Sequence, residues 1–227
     1  MAFESHDYYS EKLSAEKLRR VYEIASPRIR QYLDSEIDFV VERIKPGDRV
    51  LELGCGYGRV LERLVDRTDR VWGIDTSVTS LLLARTESKG HNYLLAAMNA
   101  VQTAFRQDCF DVTACIQNGI SAFKVDPKSL ISEAIRITKP GGRVLFSSYA
   151  DSFWPERLNW FRRQAEFGLL GEIDEAATGN GVIVCKDGFR ATTMGPDGFR
   201  ALCVELDYCP EIIIVDESSV FCEIIVK

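Results

Sequence analysis

Three glycines stand at alternate positions in the stretch Arg49-Val-Leu-Glu-Leu-Gly-Cys-Gly-Tyr-Gly58. The apolar run before them is too short for a helix, and Arg59 to Leu64 has the pattern of a helix start. In a strand, glycine loop and helix of this order, the backbone can reach positive φ and a ligand can lie beside the partly positive helix N-terminus. The stretch therefore predicts a site for a nucleotide-like ligand.

The spacing of the glycines and the next strand indicate which kind of nucleotide is favoured. Counted from Gly54, the dinucleotide fingerprint Gly-x-Gly-x-x-Gly requires a third glycine at position 59, where the chain has Arg59. The second predicted strand, Arg70–Asp75, ends in an acidic residue whose carboxylate can accept hydrogen bonds from both hydroxyls of a ribose. A pyrophosphate-linked dinucleotide is therefore disfavoured, whereas a ribose contact is predicted.

The segments Glu52–Gly58 and Gly73–Thr76 together resemble the class I S-adenosylmethionine-dependent methyltransferases. The resemblance covers roughly residues 45–150, and Thr138–Leu145 also looks like this family's link into its fifth strand. It implies S-adenosyl-L-methionine as the cofactor and transfer of its methyl group by in-line displacement. The cofactor-binding residues that it implies are Glu52, Gly54, Cys55, Gly56, Tyr57, Gly58, Asp75, Thr76, Asn99, Ala100 and Gln117.

Two of these assignments depend on the residues that come directly after the third and fourth predicted strands. The family usually has an Asp and a small residue after the third strand to bind the adenine amino group; Asn99-Ala100 is the match, and an Asn amide oxygen can accept the same bond. Gln117 and Asn118 come after the fourth strand, where the methionine end and the acceptor meet in this family. The alternative is that Gln117 and Asn118 only cap a turn.

The pattern of strands and helices predicts an α/β fold. It is a Rossmann-like, seven-stranded, mostly parallel sheet with an antiparallel last strand, helices on both faces, N-terminal helices and an inserted β-hairpin. The predicted strands are 50–53, 70–75, 92–97, 110–116, 143–149, 211–216 and 220–226, with 139–142 as a turn. One methyltransferase domain spans 1–227: a helical cover (1–45), a cofactor-binding core (46–150), a helix and hairpin insertion (151–195), and a closing helix and strands (196–227).

The segments outside the strand-helix repeat are predicted to form the acceptor site. Helices over 14–25 and 27–44, with an N-terminal arm that carries Tyr8 and Tyr9, either cover the ligands or are simply a packed start to the domain. A hairpin around Asp187-Gly188 would overhang the acceptor pocket. An amphipathic helix, Trp154–Leu170, has Arg157 on its polar side. The predicted acceptor-binding residues are Tyr8, Tyr9, Asn118 and Tyr149.

Composition narrows the partners and the compartment. With 28 Lys and Arg against 34 Asp and Glu, a formal charge of −6 argues against nucleic acid and favours a small-molecule methyl acceptor. No apolar run approaches the length of a membrane span, and the start of the sequence lacks the pattern of a signal peptide. Seven cysteines without paired Cys-x-x-Cys spacing predict neither a disulfide framework nor a metal site, so a cytoplasmic location is expected. No oligomeric state is predicted.

The sequence shows no general base. Of the two histidines, His6 lies in the arm and His91 precedes a strand at the edge remote from ligands, and methyl transfer can depend on alignment and water exclusion alone. Nitrogen, oxygen, carbon or sulfur could therefore receive the methyl group. Two alternatives come from other classes: an NAD(P)-dependent Rossmann oxidoreductase, and a catalytically inactive methyltransferase-like binding protein.

Overall fold

The computed structural model describes residues 15–88 and 90–227, and Tyr8 and Tyr9 lie outside these ranges. A seven-stranded sheet has the order β3-β2-β1-β4-β5-β9-β8, in which β1 to β5 are parallel and β9 is antiparallel to both of its neighbours. The predicted fold class is confirmed. The strands are β1 Val50–Leu53, β2 Val71–Asp75, β3 Leu94–Ala97, β4 Phe110–Cys115, β5 Thr138–Tyr149, β6 Ile183–Val184, β7 Arg190–Ala191, β8 Glu211–Val215 and β9 Ser219–Ile225.

The helices lie on both faces of the sheet, and side-chain caps fix where several of them begin. Ser26, Ser77 and Asp126 each accept a hydrogen bond from the backbone N–H three residues later, which satisfies a donor that the first helical turn leaves open. The helices are α1 Glu16–Glu23, α2 Pro27–Val41, α3 Leu61–Leu64, α4 Val78–Glu87, α5 Gly119–Ala122, α6 Pro127–Ile137, α7 Trp154–Glu166 and α8 Pro196–Val204, with a 3₁₀ turn at Asp151–Phe153.

The strand order explains where a ligand can bind. All four residues of β1 are buried, as expected for a strand covered by helices on both faces. The chain continues from β1 to β2 on one side, whereas β4 pairs with the other side of β1. The order therefore reverses at β1, and a crevice opens there at the carboxyl ends of the strands.

The predicted turn over 139–142 is wrong, because these residues belong to β5. Gly141 donates its N–H to the Val226 carbonyl at 2.8 Å, and Gly142 accepts from the Val226 N–H at 3.0 Å. The register with β4 shifts at this point, between Phe110 and Val112. The Pro-Gly-Gly sequence thus makes an irregular entry into the strand, since Gly141 adopts a φ of 78°.

The insertion between β5 and α8 contains the predicted hairpin. Ile183 pairs with Ala191 and Val184 with Arg190, and these two strands form a small sheet of their own. The placement of Arg157 on the polar side of its helix is wrong, because this residue is 1% exposed. The insertion folds back over the face of α7 that carries Arg157. The helical period of the sequence does not show this contact, so it predicted the wrong environment for Arg157.

Two further sequence-based expectations concern membranes and metals. Over 15–88 and 90–227, the structure has no helix that is both long and apolar enough to cross a membrane. The same residues contain no group of three or more His, Cys, Asp or Glu side chains arranged to hold a metal ion.

Candidate functional site

A cavity of about 290 Å³ lies at the carboxyl ends of β1, β2 and β4, in the crevice that the strand order creates. Helix α1 contributes Leu18 and Tyr22 to its lining, and the segment after α5 contributes Phe123 and Lys124. Eight of the predicted cofactor-binding residues line it: Glu52, Gly54, Gly56, Asp75, Thr76, Asn99, Ala100 and Gln117.

The glycine loop after β1 has the backbone that its sequence predicts. Gly54 and Gly56 have φ values of 76° and 53°, in the left-handed region that favours glycine. A Cβ atom on Gly54 would lie 2.3 Å from the Phe123 ring, so this position excludes any side chain unless the ring moves. The loop therefore brings main chain, without side chains, up to the cavity.

Three other predicted residues of this loop lie outside the cavity lining. Cys55 is buried, and a Cβ atom built on Gly73 would contact its side chain, whereas the backbone at Gly58 packs closely against Tyr93 and α4. The Tyr57 ring lies 6.0 Å from the ring of Tyr22 on α1. Cys55 and Gly58 therefore pack against the elements that support the loop, and Tyr57 packs against α1.

Asp75 connects the loop to the start of α4. Its Oδ2 accepts from the Gly56 N–H at 2.9 Å, and its Oδ1 accepts from the Ser77 N–H at 2.7 Å. Each carboxylate oxygen can accept more than one hydrogen bond, so these two bonds alone do not prevent a further bond from a ligand in the cavity. Asp75 thus holds the loop in place while it lines the site.

Asn99 and Ala100 line the cavity on the β3 side. The Asn99 Oδ1 accepts from the Val101 N–H at 3.0 Å, so the predicted adenine-binding oxygen also stabilises its own turn. The Ala100 side chain is small and lines the cavity, so a flat ligand group could pack against it.

Glu52, at the centre of β1, is a buried carboxylate in the cavity wall. It is 4% exposed, and its Oε2 has no hydrogen-bond partner among the described residues. Burial raises the pKa of Glu52 to about 8; the positive charge of Arg59 acts against this shift and the negative charge of Asp75 adds to it. An unpaired buried carboxylate is costly, so this position fits a ligand that carries positive charge.

Gln117 directly follows β4 and presents its amide to the same cavity. Its Oε1 accepts from the Tyr22 hydroxyl at 3.1 Å, while its Nε2 is buried and lacks a partner within the described part of the chain. Its backbone has a φ of 57°, which is uncommon for a residue other than glycine. An unused acceptor at Glu52 and an unused donor at Gln117 therefore line one cavity.

Glu36, on α2, fixes the position of Gln117 and was not predicted. It is fully buried, and its Oε2 accepts from the Gln117 N–H at 2.7 Å and from the Ser147 hydroxyl at 2.9 Å. Its Oε1 accepts from the Ser219 hydroxyl at 2.6 Å. Burial raises the pKa of Glu36 to about 7, and these hydrogen bonds act in the opposite direction. The sequence signal that could have identified Glu36 was its position, since it is an acidic residue within the apolar face of α2.

Helix α1 covers the cavity from the side opposite the sheet. The Tyr22 ring lies 6.0 Å from Tyr57 and 6.3 Å from Trp160, and the Arg59 guanidinium lies 4.7 Å from the centre of the Tyr22 ring. These contacts anchor α1 over the glycine loop. The sequence analysis identified this helix as a possible cover of the ligands. It did not identify Tyr22 as the residue that contacts Tyr57 and Gln117, because Tyr22 is not part of a local motif.

One family model matches the part of the chain that contains the glycine loop. Residues 50–142 match a family model described as a methyltransferase domain, and this range contains β1 to β4, the glycine loop and Asp75. This part of the chain is therefore similar to the class I S-adenosylmethionine-dependent methyltransferases. S-adenosylmethionine is the cofactor of this family.

One curated relative and two solved structures show how far the similarity extends. The ubiquinone biosynthesis O-methyltransferase of Hydrogenovibrio crunogenus is 34% identical over 126 residues, which are 53% of this chain and 51% of that protein. The chain thus spans about half the length of this relative. The PH0226 protein from Pyrococcus horikoshii is 20% identical, with a TM-score of 0.71 over 94% of this chain and 100% of that one.

The second solved structure is the magnesium protoporphyrin IX methyltransferase of Synechocystis with bound S-adenosylhomocysteine. It is 16% identical, with a TM-score of 0.66 and coverage of 97% of both chains. At these identities the two structures establish the fold alone. The methyltransferase fold therefore extends beyond the residues that the family model matches.

Two predicted acceptor-binding residues lie beside the cavity and do not line it. The Asn118 side chain donates to the Thr192 carbonyl at 3.0 Å and accepts from the Ser148 hydroxyl at 2.8 Å, so it joins the end of β4 to the hairpin and β5. Tyr149, at the end of β5, lines a separate cavity under the hairpin.

We expect the stability of the ligand-free protein to fall as pH rises from about 4.5 to about 8. The unfolded chain ionises Glu36 and Glu52 near pH 4.5, whereas the folded chain keeps them protonated up to about pH 7 and about pH 8. The folded state then binds more protons, so the free energy of unfolding decreases, by roughly 3 kcal/mol for Glu36 at 1.36 kcal/mol per pH unit. Urea unfolding at several pH values measures this slope.

The matched variants are Glu36→Gln and Glu42→Gln, both at α2. Glu36→Gln should reduce the slope of stability against pH, because glutamine does not titrate. Glu42→Gln, at an exposed position, should leave this slope unchanged. A stability that rises over this range in the parent protein, or an equal slope in Glu36→Gln, would contradict the assignment.

Proposed function

We propose that this methyltransferase transfers the methyl group of S-adenosylmethionine to a small-molecule acceptor by in-line displacement. The buried Glu52 carboxylate, whose Oε2 has no hydrogen-bond partner in the described part of the chain, lies in a cavity bounded by the glycine loop, and this observation carries the proposal. S-adenosylmethionine has a positively charged sulfonium and an ammonium group, so a cavity with Glu52 and Asp75 in its wall complements its charge.

Each end of the cavity suits a different part of the cofactor. Asp75 would accept from the ribose hydroxyls, and Asn99 with Ala100 would hold the adenine. At the other end, Glu52 would accept from the ammonium group and the Gln117 Nε2 would donate to the carboxylate of the methionine moiety. The two unpaired polar atoms would then both gain partners.

S-adenosylmethionine supplies an activated methyl group, and the residues of this chain orient the reactants and exclude water. Tyr22 covers the cavity and is bonded to Gln117, so the cover helix and the end of β4 are held together. Fixing the reactants in line can lower the barrier by about 7–11 kcal/mol without a protein nucleophile. The described cavity lining contains no histidine. The proposed mechanism therefore depends on alignment of the donor and the acceptor and not on a histidine base.

A small molecule is the acceptor that the observations favour. The formal charge of −6 opposes binding to a polyanion such as nucleic acid. The Hydrogenovibrio relative is named for ubiquinone biosynthesis, in which the methylated compound is a small molecule. The proposed acceptor is therefore a small molecule, and no particular compound is proposed.

The test is a transfer assay with isotopically labelled S-adenosylmethionine, a library of phenols, amines and carboxylic acids, and the macromolecular fraction of a cell extract. We expect label in one or more small molecules together with S-adenosylhomocysteine. Label only in the macromolecular fraction would contradict the small-molecule acceptor. Cofactor binding without transfer to any fraction would instead identify a binding protein.

A further inference from the structure

A second cavity, of about 460 Å³, lies beneath the β6-β7 hairpin. We call it the hairpin cavity. The end of β5 and the start of α7 form its floor, through Tyr149, Trp154 and Arg157, and the hairpin side contributes Gly181 and Thr193. The proposed cofactor role does not use this space.

Arg157 is the principal charged group of the hairpin cavity. It is 1% exposed, and its guanidinium lies 4.7 Å from the centre of the Tyr149 ring and 5.7 Å from that of Trp154. Its Nη1 donates to the Gly181 carbonyl at 2.8 Å, which fixes the plane of the group. A planar, oriented guanidinium is suited to bind a carboxylate through two parallel hydrogen bonds.

The hairpin cavity adjoins the cofactor cavity. The Thr192 carbonyl lies 3.0 Å from the Asn118 Nδ2 and 3.4 Å from the Arg157 Nη2. This one carbonyl therefore accepts hydrogen bonds from a residue beside the cofactor cavity and from a residue that lines the hairpin cavity. Asn118 follows Gln117, which lines the cofactor cavity. β4 and β5 are neighbouring parallel strands, and their carboxyl ends therefore present the two cavities along one edge of the sheet.

The buried charged side chains of the two cavities, Glu52 and Arg157, have opposite signs. The cofactor cavity has Glu52 and Asp75 in its wall. The exposed Lys124 also lines the cofactor cavity, whereas Arg157 is the buried charged residue of the hairpin cavity. The hairpin cavity has one acidic residue in its lining, Asp151, which is exposed at its mouth. The interior of the hairpin cavity thus favours an anionic group, and its aromatic wall favours a planar one.

We propose that the hairpin cavity is the acceptor site and that it takes an aromatic small molecule with a carboxylate, which pairs with Arg157. This inference rests on the proposed methyl transfer and adds the chemical class of the acceptor. The ring would pack against Tyr149 and Trp154, and the carboxylate would bind the guanidinium. The other end of the molecule would then point toward Gln117 and the cofactor cavity.

The test is a calorimetric titration of the full chain with 3-phenylpropionate and indole-3-carboxylate, each compared with its neutral amide. It is done with and without saturating S-adenosylhomocysteine, whose own affinity is measured first. We expect each carboxylate to bind at least about tenfold more tightly than its amide. In Arg157→Gln this preference should fall to within about twofold, while the affinity for S-adenosylhomocysteine stays unchanged.

Two further variants keep the test decisive if Arg157→Gln fails to fold. Thr193→Leu fills the hairpin cavity from the opposite wall and leaves Arg157 in place, so it should weaken both carboxylates at least about tenfold. Arg163→Gln, at an exposed position on the same helix, is the matched control and should bind as the parent does.

Equal affinities for carboxylate and amide in the parent protein, or no saturable binding of either carboxylate at millimolar concentration, would overturn the inference. Parent-like binding by Thr193→Leu would also overturn it. If S-adenosylhomocysteine fails to bind the parent protein, the proposed function itself is overturned, and this inference with it. Binding of S-adenosylhomocysteine without selectivity for carboxylates overturns only the acceptor class.

Discussion

Replacing Glu52 by glutamine should lower the affinity for S-adenosylmethionine by more than about a hundredfold. Removing one partner of a buried ion pair costs roughly 3–5 kcal/mol, because the other charge is left unpaired. Glu52 is the buried acceptor proposed for the ammonium group. Calorimetry near pH 8.5 measures the effect, since the Glu52 carboxyl, whose pKa is raised to about 8, is then mostly ionised in the parent protein.

The same substitution should stabilise the ligand-free protein at that pH. The buried carboxylate must be ionised without a described partner for its Oε2, whereas glutamine is neutral. The two effects have opposite signs, which general damage to the fold would not produce. Glu62→Gln, on α3 and outside the cavity lining, is the matched control. Unchanged cofactor affinity in a folded Glu52→Gln protein would remove Glu52 from the site.

Replacing Asp75 by alanine should lower the cofactor affinity by roughly 10- to 100-fold, since a hydrogen bond to a charged acceptor contributes about 1.5–3 kcal/mol. The ribose hydroxyls would lose their carboxylate acceptor. The N–H groups of Gly56 and Ser77 would lose it as well, so the loop would also be less well fixed. Calorimetric titration of the variant with S-adenosylmethionine measures the loss.

Asp69→Ala is the control for Asp75→Ala. Asp69 precedes β2, and its side chain is 90% exposed, so its removal should leave cofactor affinity unchanged. Circular dichroism and thermal unfolding of each variant report whether the fold is retained. A folded Asp75→Ala protein that binds S-adenosylmethionine as tightly as the parent would show that the ribose assignment is wrong.

The cofactor half of the site could be predicted because its signals are local. A short apolar run, three alternate glycines and an acid at the end of the next strand lie within Val50–Asp75, and strand, loop and helix form from neighbouring residues. The structure places Gly54, Gly56 and Asp75 around one cavity, as this pattern indicates. Cys55, Tyr57 and Gly58 belong to the same motif but lie outside the lining, because they pack against β2, α1 and α4 instead.

The residues that the sequence missed depend on long-range contacts. Glu36 meets the hydroxyls of Ser147 and Ser219, which follow it by 111 and 183 positions, so its role becomes visible only when α2 packs on the sheet. Arg157 resembled a solvent-exposed residue because the helical period does not show that the hairpin folds over it. Tyr22 contacts Gln117 at a separation of 95 residues.

The binding of S-adenosylmethionine at the glycine loop is the central claim, and parallel calorimetric titrations with S-adenosylmethionine and NADH test it most directly. We expect S-adenosylmethionine to bind with a dissociation constant near 1 μM, about −8 kcal/mol, and NADH to bind far more weakly or not at all. The expected difference has two sources: Arg59 stands where a dinucleotide fingerprint requires glycine, and the buried Glu52 Oε2 has no partner among residues 15–88 and 90–227. Absence of heat with millimolar S-adenosylmethionine, or tighter binding of NADH, would contradict this claim.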